Sequence, residues 1–288
     1  MSNRESYETS LSKITDLDQT GYQLNSVLAV TEDLTFNEIA GPLAGVPILI
    51  KDNIEALGLP ATAGSLALAD TPVVRDSTIA KRLRAAGATI IGSTNLSEWA
   101  NIRSGKSTSG WSAVGGLTAN PWKHAHSAGG SSSGSGAAVG AGIVSMAVGS
   151  ETDGSIVCPA SLNGCVGIKP TVGSIPRDAM IPISASQDTP GPMAQSVQLT
   201  AQLLEVLTAK SGYVTATTND SEIRIGVVKG WVTEDSGTNE LFQDLLNKLG
   251  KRVKLAEIAL PEPSEDEGEA EFKVLMQELN EDLAAYLQ

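Results

Sequence analysis

Apolar and polar positions along the chain predict alternating helices and buried strands. Up to about Asn25, Leu11, Ile14 and Leu17 form a loose helical stripe, and residues 26–31 read as a short strand. Gly41-Pro42-Leu43-Ala44-Gly45 is a turn. Residues 46–50 are then apolar without a break, as in a strand buried on both faces, and Lys51 ends the run. Asp76 is expected to cap a helix over 77–86 closed by Gly87, and 88–91 to be the next buried strand. Residues 127–136 are so rich in Gly and Ser that they read as a loop. Residues 137–148, small and apolar, predict a buried helix, and 149–155 a second small-residue turn. A strand begins over 166–169, an amphipathic helix covers 200–209, a strand 223–228 and a polar acidic loop 261–268. Over 269–286, Phe272, Leu275, Met276, Leu279 and Leu283 recur at helical spacing. Helices interleaved with buried strands predict an α/β layered domain, and no internal repeat is visible.

Composition sharpens this reading in three ways. The 288 residues, 41% of them hydrophobic, suffice for one large domain or two small ones with a proper core. The formal charge of −13 is uneven: from Glu262 onward nine acids face one base, Lys273. Such a chain repels phosphate backbones, so no nucleic-acid partner is expected, and the acidic tail reads as a solvated helix face. The two cysteines, Cys158 and Cys165, cannot build a disulfide framework and are expected to be reduced core thiols. The N-terminus lacks an apolar signal region, and no apolar run reaches membrane-spanning length. The expected compartment is the cytoplasm, with no membrane partner.

Candidate chemistry narrows by elimination but does not close. His124 and His126 are the only histidines, and at i and i+2 in extended chain at most one could face a site. Loop packing is the better reading for both than service as a catalytic base. No metal-ligand spacing occurs, and no metal or cofactor is expected. Gly130-Ser131-Ser132-Ser133-Gly134 fits Gly-x-Ser-x-Gly formally, but no buried strand precedes it, and no Gly-Lys-Ser/Thr follows to make a phosphate loop. What remains is a hydroxyl-rich loop and a second turn carrying Ser155. A serine nucleophile without histidine can use a lysine, provided burial keeps the amine neutral. Lys51, after five apolar residues, is the candidate by position; the alternative is a lysine snorkelling out from a strand end.

Together these segments resemble the amidase signature family. Val46-Pro47-Ile48-Leu49-Ile50-Lys51-Asp52-Asn53 is similar to its lysine motif, and 128–138 (Ala-Gly-Gly-Ser-Ser-Ser-Gly-Ser-Gly-Ala-Ala) to its Gly-Gly-Ser-Ser signature. Gly149-Ser150-Glu151-Thr152-Asp153-Gly154-Ser155-Ile156 is similar to its nucleophile turn. Gly167-Ile168-Lys169-Pro170-Thr171 and 187–194 match its downstream blocks, in the same order and spacing. The resemblance implies a central mixed β-sheet flanked by helices on both faces, a three-layer α/β/α fold, over a single amidase domain, 1–288. It implies a triad in which Ser155 attacks an amide carbonyl, Ser131, preceded by a cis peptide bond from Gly130, relays the proton, and Lys51 is the base. The backbone N–H groups of Thr152, Asp153, Gly154 and Ser155 would form the oxyanion hole. The products would be an acyl-enzyme and released ammonia or amine.

Ser109-Gly110-Trp111-Ser112, Glu151 to Ala160 and Ile181-Pro182-Ile183-Ser184 are similar to peptide amidases, which remove the C-terminal carboxamide of peptides. The family's A-type amidotransferase members usually carry Gly and Arg where this chain has Asp153 and Val157. The expected substrate is therefore a peptide carboxamide or a small amide. One rival is an amidotransferase A-type chain that works only with its partner chains; the other is an inactive scaffold. The family is longer than this chain: its usual C-terminal part is absent, and 30–41 and 212–223 look shortened. Self-association is the expected consequence if that leaves core uncovered.

Overall fold

The computed structural model describes residues 3–31, 39–216, 223–230, 233, 235–261 and 264–288. In chain order the elements are helix α1 (Asn3–Lys13), continued by π-helical turns over Ile14–Thr20, then strands β1 (Val27–Val30) and β2 (Pro47–Lys51), helix α2 (Thr78–Ala85) and strand β3 (Thr89–Thr94). A 3-10 segment (Glu98–Asn101) leads to the hairpin of β4 (Trp111–Ser112) and β5 (Gly116–Leu117), then α3 (Ser133–Gly140), β6 (Met146–Glu151), α4 (Val157–Asn163), β7 (Val166–Gly167) and β8 (Thr189–Ala194). Helices α5 (Val197–Thr208) and α6 (Tyr213–Ala216), strand β9 (Arg224–Val228), helix α7 (Ser236–Leu249), strand β10 (Lys254–Ile258) and helix α8 (Glu265–Tyr286) complete it. These residues divide into two compact units, one running up to Val214 and including Val274–Gln288, the other Thr215–Lys273.

The first unit is built on a six-stranded sheet in the order β1-β3-β2-β6-β8-β7. β2 runs parallel to both β3 and β6, while β1, β7 and β8 pair antiparallel, so the sheet is mixed. Side chains alternate across a strand, and the core follows that rule. Ile48, Ile50, Ile90, Met146 and Val148 face α2 and α5 through Ile79, Leu83, Leu203 and Leu207. Leu49, Ile91 and Ala147 face α1 and α3 through Tyr7, Ala137, Ala138 and Val139. Both faces are covered, which is why β2 reads as an unbroken apolar run up to Lys51. The three layers agree with the expected architecture. The second unit pairs β9 with β10 in parallel, joined through α7.

Local departures from the sequence reading have specific causes. Residues 137–148 are not one helix. α3 ends at Gly140, Gly142 turns the chain with φ +72°, and Met146 opens a central strand. A small apolar run carries no period that separates the two states. Ser133–Gly136 belong to α3 rather than to a loop. Their glycines are there for close packing: a Cβ on Gly134 would stand 2.2 Å from the Ser26 carbonyl oxygen. The cap of α2 is Ser77, whose hydroxyl accepts the Ala80 N–H at 3.1 Å. Asp76 is occupied with the Leu57 N–H and Arg84. Strand β8 contains Pro190 and Pro192 and gave no strand signal, yet it is central and wholly buried.

Cys158 is exposed and Cys165 half-buried, so the two are free thiols but not both core residues. Helix α8 starts at Glu265, inside the stretch read as an acidic loop, of which 262 and 263 lie outside the described residues. Its acids are not all solvated: Glu278 accepts from the Ser184 and Ser186 hydroxyls and the Ser186 N–H, and Asp282 pairs with Arg177 at 3.7 Å. Residues 32–38 and 217–222, within the two stretches that look shortened, lie outside the described residues. Among the described residues no helix is long and apolar enough to cross a membrane.

Ser77→Ala should lower stability by about 1 kcal/mol, the usual worth of an N-cap hydroxyl. Urea unfolding measures it, and an unchanged midpoint would remove Ser77 as the cap of α2.

Candidate active site

The site lies where three pieces of chain meet: the C-terminal end of β2, the N-terminal end of α3 and the turn after β6. The period of two places Lys51 on the same face of β2 as Leu49, the face that α3 covers. Its side chain is completely buried. Nζ lies 2.7 Å from Ser131 Oγ, 2.9 Å from Ser150 Oγ and 3.2 Å from the Ser150 carbonyl oxygen. No carboxylate is within ion-pairing distance among the described residues. Lys51 is therefore not a snorkelling lysine. Burial disfavours the charged form and lowers its pKa from 10.5 to about 7, while the more distant charges of Asp188 and Glu151 act the other way.

The donor count at Nζ fits a neutral amine. A neutral amine has two N–H donors and one lone pair. The Ser150 carbonyl can only accept, so one N–H goes there. Ser150 Oγ takes the second, beside a bond from Asn53 Nδ2 at 3.0 Å. The lone pair is left to the Ser131 hydroxyl. When the amine is protonated, the same hydroxyl turns to accept, so both protonation states find partners.

The peptide bond from Gly130 to Ser131 is cis. A Cβ at Gly130 would stand 2.3 Å from Ser97 Oγ and 2.8 Å from Ser109 Oγ, so both hydroxyls would have to move to admit one. The loop is tied from both sides: the Ser97 N–H donates to the Ser131 carbonyl at 3.0 Å, and the Ser132 N–H donates to the Ser155 carbonyl at 3.1 Å. The second bond holds the Ser155 turn against the residue that follows Ser131. Ser132 Oγ also donates to the Ser150 carbonyl at 3.0 Å and accepts the Ser150 N–H, clipping α3 to the end of β6.

Glu151 organises the turn itself. Its carboxylate accepts the N–H groups of Gly154, Ile156 and Val157 at 2.9, 2.7 and 3.0 Å. Of the four N–H groups expected to serve an oxyanion, that of Gly154 is thus already taken. Those of Thr152, Asp153 and Ser155 have no acceptor among the described residues. Thr152 is fixed twice, its hydroxyl by Asp188 and its carbonyl by the Lys169 amine. Asp188 also accepts the Ile183 and Ser184 N–H groups at 2.7 and 2.9 Å. Beyond the turn, Thr152, Asp153 and Ser155 line a cavity of about 140 Å³ with Asn101, Ile183 and Leu275 of α8 among its other walls.

The structure therefore brings Lys51 and Ser131 into contact and ties the Ser155 carbonyl to the N–H of Ser132, the residue after Ser131. It adds residues to which sequence reasoning gave no role: Asn53, Ser132, Ser150, Glu151, Asp188 and Lys169. All six stand inside motifs already quoted, but nothing in a short polar stretch says which member turns inward. His124 and His126 are exposed and border a separate cavity, where the His124 ring meets Tyr22 edge-on at 5.1 Å. Among the described residues no group of three His, Cys, Asp or Glu is placed to hold a metal ion.

The amidase family model matches residues 23–286. The chain is 40% identical to the crystal structure of native peptide amidase from Stenotrophomonas maltophilia, with a TM-score of 0.93 over 99% of this chain and 64% of that one. It is 38% identical to mandelamide hydrolase from Pseudomonas putida over 85% of this chain and 48% of that protein. It is 35% identical to the A-type component of the glutamyl-tRNA(Gln) amidotransferase of Natronomonas pharaonis over 89% of this chain and 63% of that protein. The chain thus spans about half to two thirds of the length of these relatives.

Because the folded pKa of Lys51 lies below its unfolded value, the unfolded chain binds more protons between pH 7 and 10.5. Stability should then rise with pH across that window and be flat in this contribution below it. Lys51→Met should abolish that rise and stabilise the fold near pH 7. Urea unfolding at several pH values tests this, and an identical slope in both proteins would show that the amine is not buried uncharged.

Proposed function

The chain belongs to the amidase family, and on that footing we propose that it hydrolyses a carboxamide C–N bond, with Ser155 as nucleophile, Ser131 as proton relay and Lys51 as base. The observation that carries this reading is the fully buried Lys51 amine, 2.7 Å from the Ser131 hydroxyl. A buried amine without an ion partner is costly when charged, so the site favours the form that can accept a proton.

Ser155 Oγ attacks the carbonyl carbon while its proton passes to Ser131 Oγ and the Ser131 proton passes to Lys51 Nζ. The carbonyl π-electrons move onto oxygen. Lys169 holds the Thr152 carbonyl, so across the trans peptide the Asp153 N–H points the opposite way. The N–H groups of Asp153, Thr152 and Ser155 are the available donors for that oxygen, and one such donor is worth about 3–4 kcal/mol of barrier. Collapse breaks the C–N bond, and the proton returns through Ser131 to the leaving nitrogen. Water then repeats the sequence on the acyl-enzyme. Glu151 holds the turn in shape without touching substrate.

The substrate class we favour is the C-terminal amide of a peptide, or a small amide. The structural relative named above is a peptide amidase, and another crystal structure of a peptide amidase, 39% identical, is a complex with the competitive inhibitor chymostatin. We place the reaction in the cytoplasm, where the free thiols of Cys158 and Cys165 stay reduced.

Purified chain alone, without tRNA or ATP, should release ammonia from peptide amides; release only with partner chains would favour an amidotransferase. A fluorophosphonate should label the folded protein and not Ser155→Ala. Labelling retained in that variant would remove Ser155 as the nucleophile, and a folded parent that takes no label would favour a scaffold. Ser155→Ala should cut turnover on the order of 10⁴-fold or more. kcat/KM should rise with pH through about 7, as Lys51 loses its proton, and then level off. A rate independent of pH from 5 to 9 would take Lys51 out of the mechanism.

A further inference from the structure

The two histidines, which the amide chemistry does not use, line a cavity of about 550 Å³ together with Gln23, Asn25, Thr108 and Ser109. It shares no lining residue with the cavity beside Ser155. The expectation that at most one histidine could face a site fails here. The His126 N–H donates to the Lys123 carbonyl at 2.8 Å, so the segment is a turn rather than extended chain, and both His124 and His126 border the same space. The turn is held from behind. Asn120 Oδ1 accepts the Trp122 and Lys123 N–H groups at 2.9 and 3.3 Å, and Ala119 and Ser127 form a β-bridge. The His124 ring meets Tyr22 edge-on, and the Tyr22 hydroxyl donates to the Asn120 carbonyl at 2.8 Å.

A second part of the wall has a strained backbone. Gln23 and Asn25 are both left-handed, with φ of +56° and +53°, on either side of the buried Leu24. Leu24 is bonded through its N–H to Leu17 and through its carbonyl to Ala119, which fixes the segment. Asparagine visits that region readily, but glutamine does so at a cost, and strain of this kind collects at ligand sites. The donor set selects the ligand. Among the described residues, neither imidazole takes part in a hydrogen bond, nor do the side chains of Gln23, Thr108 and Ser109. Asn25 donates to the Leu117 carbonyl at 3.2 Å, which leaves its side-chain oxygen unused. Neutral imidazole is the commonest ligand of zinc, copper and nickel. Mg²⁺ and Ca²⁺ call for carboxylates, and none lines this cavity among the described residues. No lysine or arginine lines it to repel a cation.

We propose that His124 and His126 are a chelating pair for a divalent transition-metal ion of the Zn²⁺, Ni²⁺ and Cu²⁺ class, with an amide oxygen from the Gln23–Asn25 wall and water completing the coordination. The site stands apart from the amide chemistry and does not rest on the hydrolase reading.

These are the only two histidines of the chain, so the imidazole region of a ¹H–¹³C NMR spectrum holds one set of signals for each. Zn²⁺ added to the protein without a histidine tag should move both sets together and saturate at one ion per chain, while Mg²⁺ at the same concentration moves neither. Both side chains are exposed, so His124→Ala and His126→Ala should fold as the parent does. In each, the surviving imidazole should need at least about tenfold more Zn²⁺ for half of its shift, since even the groups behind a metal ligand are worth that much. Cys158→Ser should titrate as the parent does, which separates the site from the exposed thiol. Movement of one imidazole alone, an unchanged midpoint in either alanine variant, loss of the response in Cys158→Ser, or no response up to about 1 mM Zn²⁺ would overturn the proposal.

Discussion

Everything around the site answers to one constraint: a lysine amine taken completely out of water with no carboxylate beside it. Lys51 Nζ has only a carbonyl and two hydroxyls for company. That environment tolerates a neutral amine easily and a charged one only at a cost, which brings its pKa to about 7. The sheet produces the burial. β2 is central, covered on both faces, and delivers Lys51 at its end under α3. Exchange of the neighbouring hydroxyls for water would restore an ordinary lysine.

The small residues of the signature follow from the same constraint. A helix can approach the sheet closely enough to seal Lys51 only if it carries almost no side chain. Hence the seven residues from Ser133 to Val139 are small or of modest size and all buried. Their hydroxyls replace the missing bulk with hydrogen bonds: Ser135 donates to the Val148 carbonyl at 3.1 Å and Ser132 clips Ser150. What reads as low-complexity loop is a close-packed helix terminus whose polar atoms are nearly all engaged.

Around this sits a frame of carboxylates that do not face the amine directly. Glu151 gathers three N–H groups of the nucleophile turn, Asp188 fixes Thr152 and the 183–184 segment, and Glu278 draws α8 onto Ser184 and Ser186. Each accepts several bonds, the arrangement in which a buried or half-buried carboxylate is best held. The result is a rigid wall on which Ser155, Asn101 and Leu275 share one small cavity.

The sequence by itself determined the layered α/β class, since short apolar runs such as 46–50 and 88–91 alternate along the chain with helical stripes. Its ordered motifs also pointed to Lys51, Ser131 and Ser155. It did not determine whether 137–148 was helix or strand, because small apolar residues carry no period, nor that Pro190 and Pro192 sit in a central strand. Which polar residues turn inward was decided only in three dimensions. Ser150, Asn53 and Glu151 reach their partners across about 3 to 100 positions of chain. Local pattern records burial; the direction of a side chain at a strand end or in a turn is set by what packs against it.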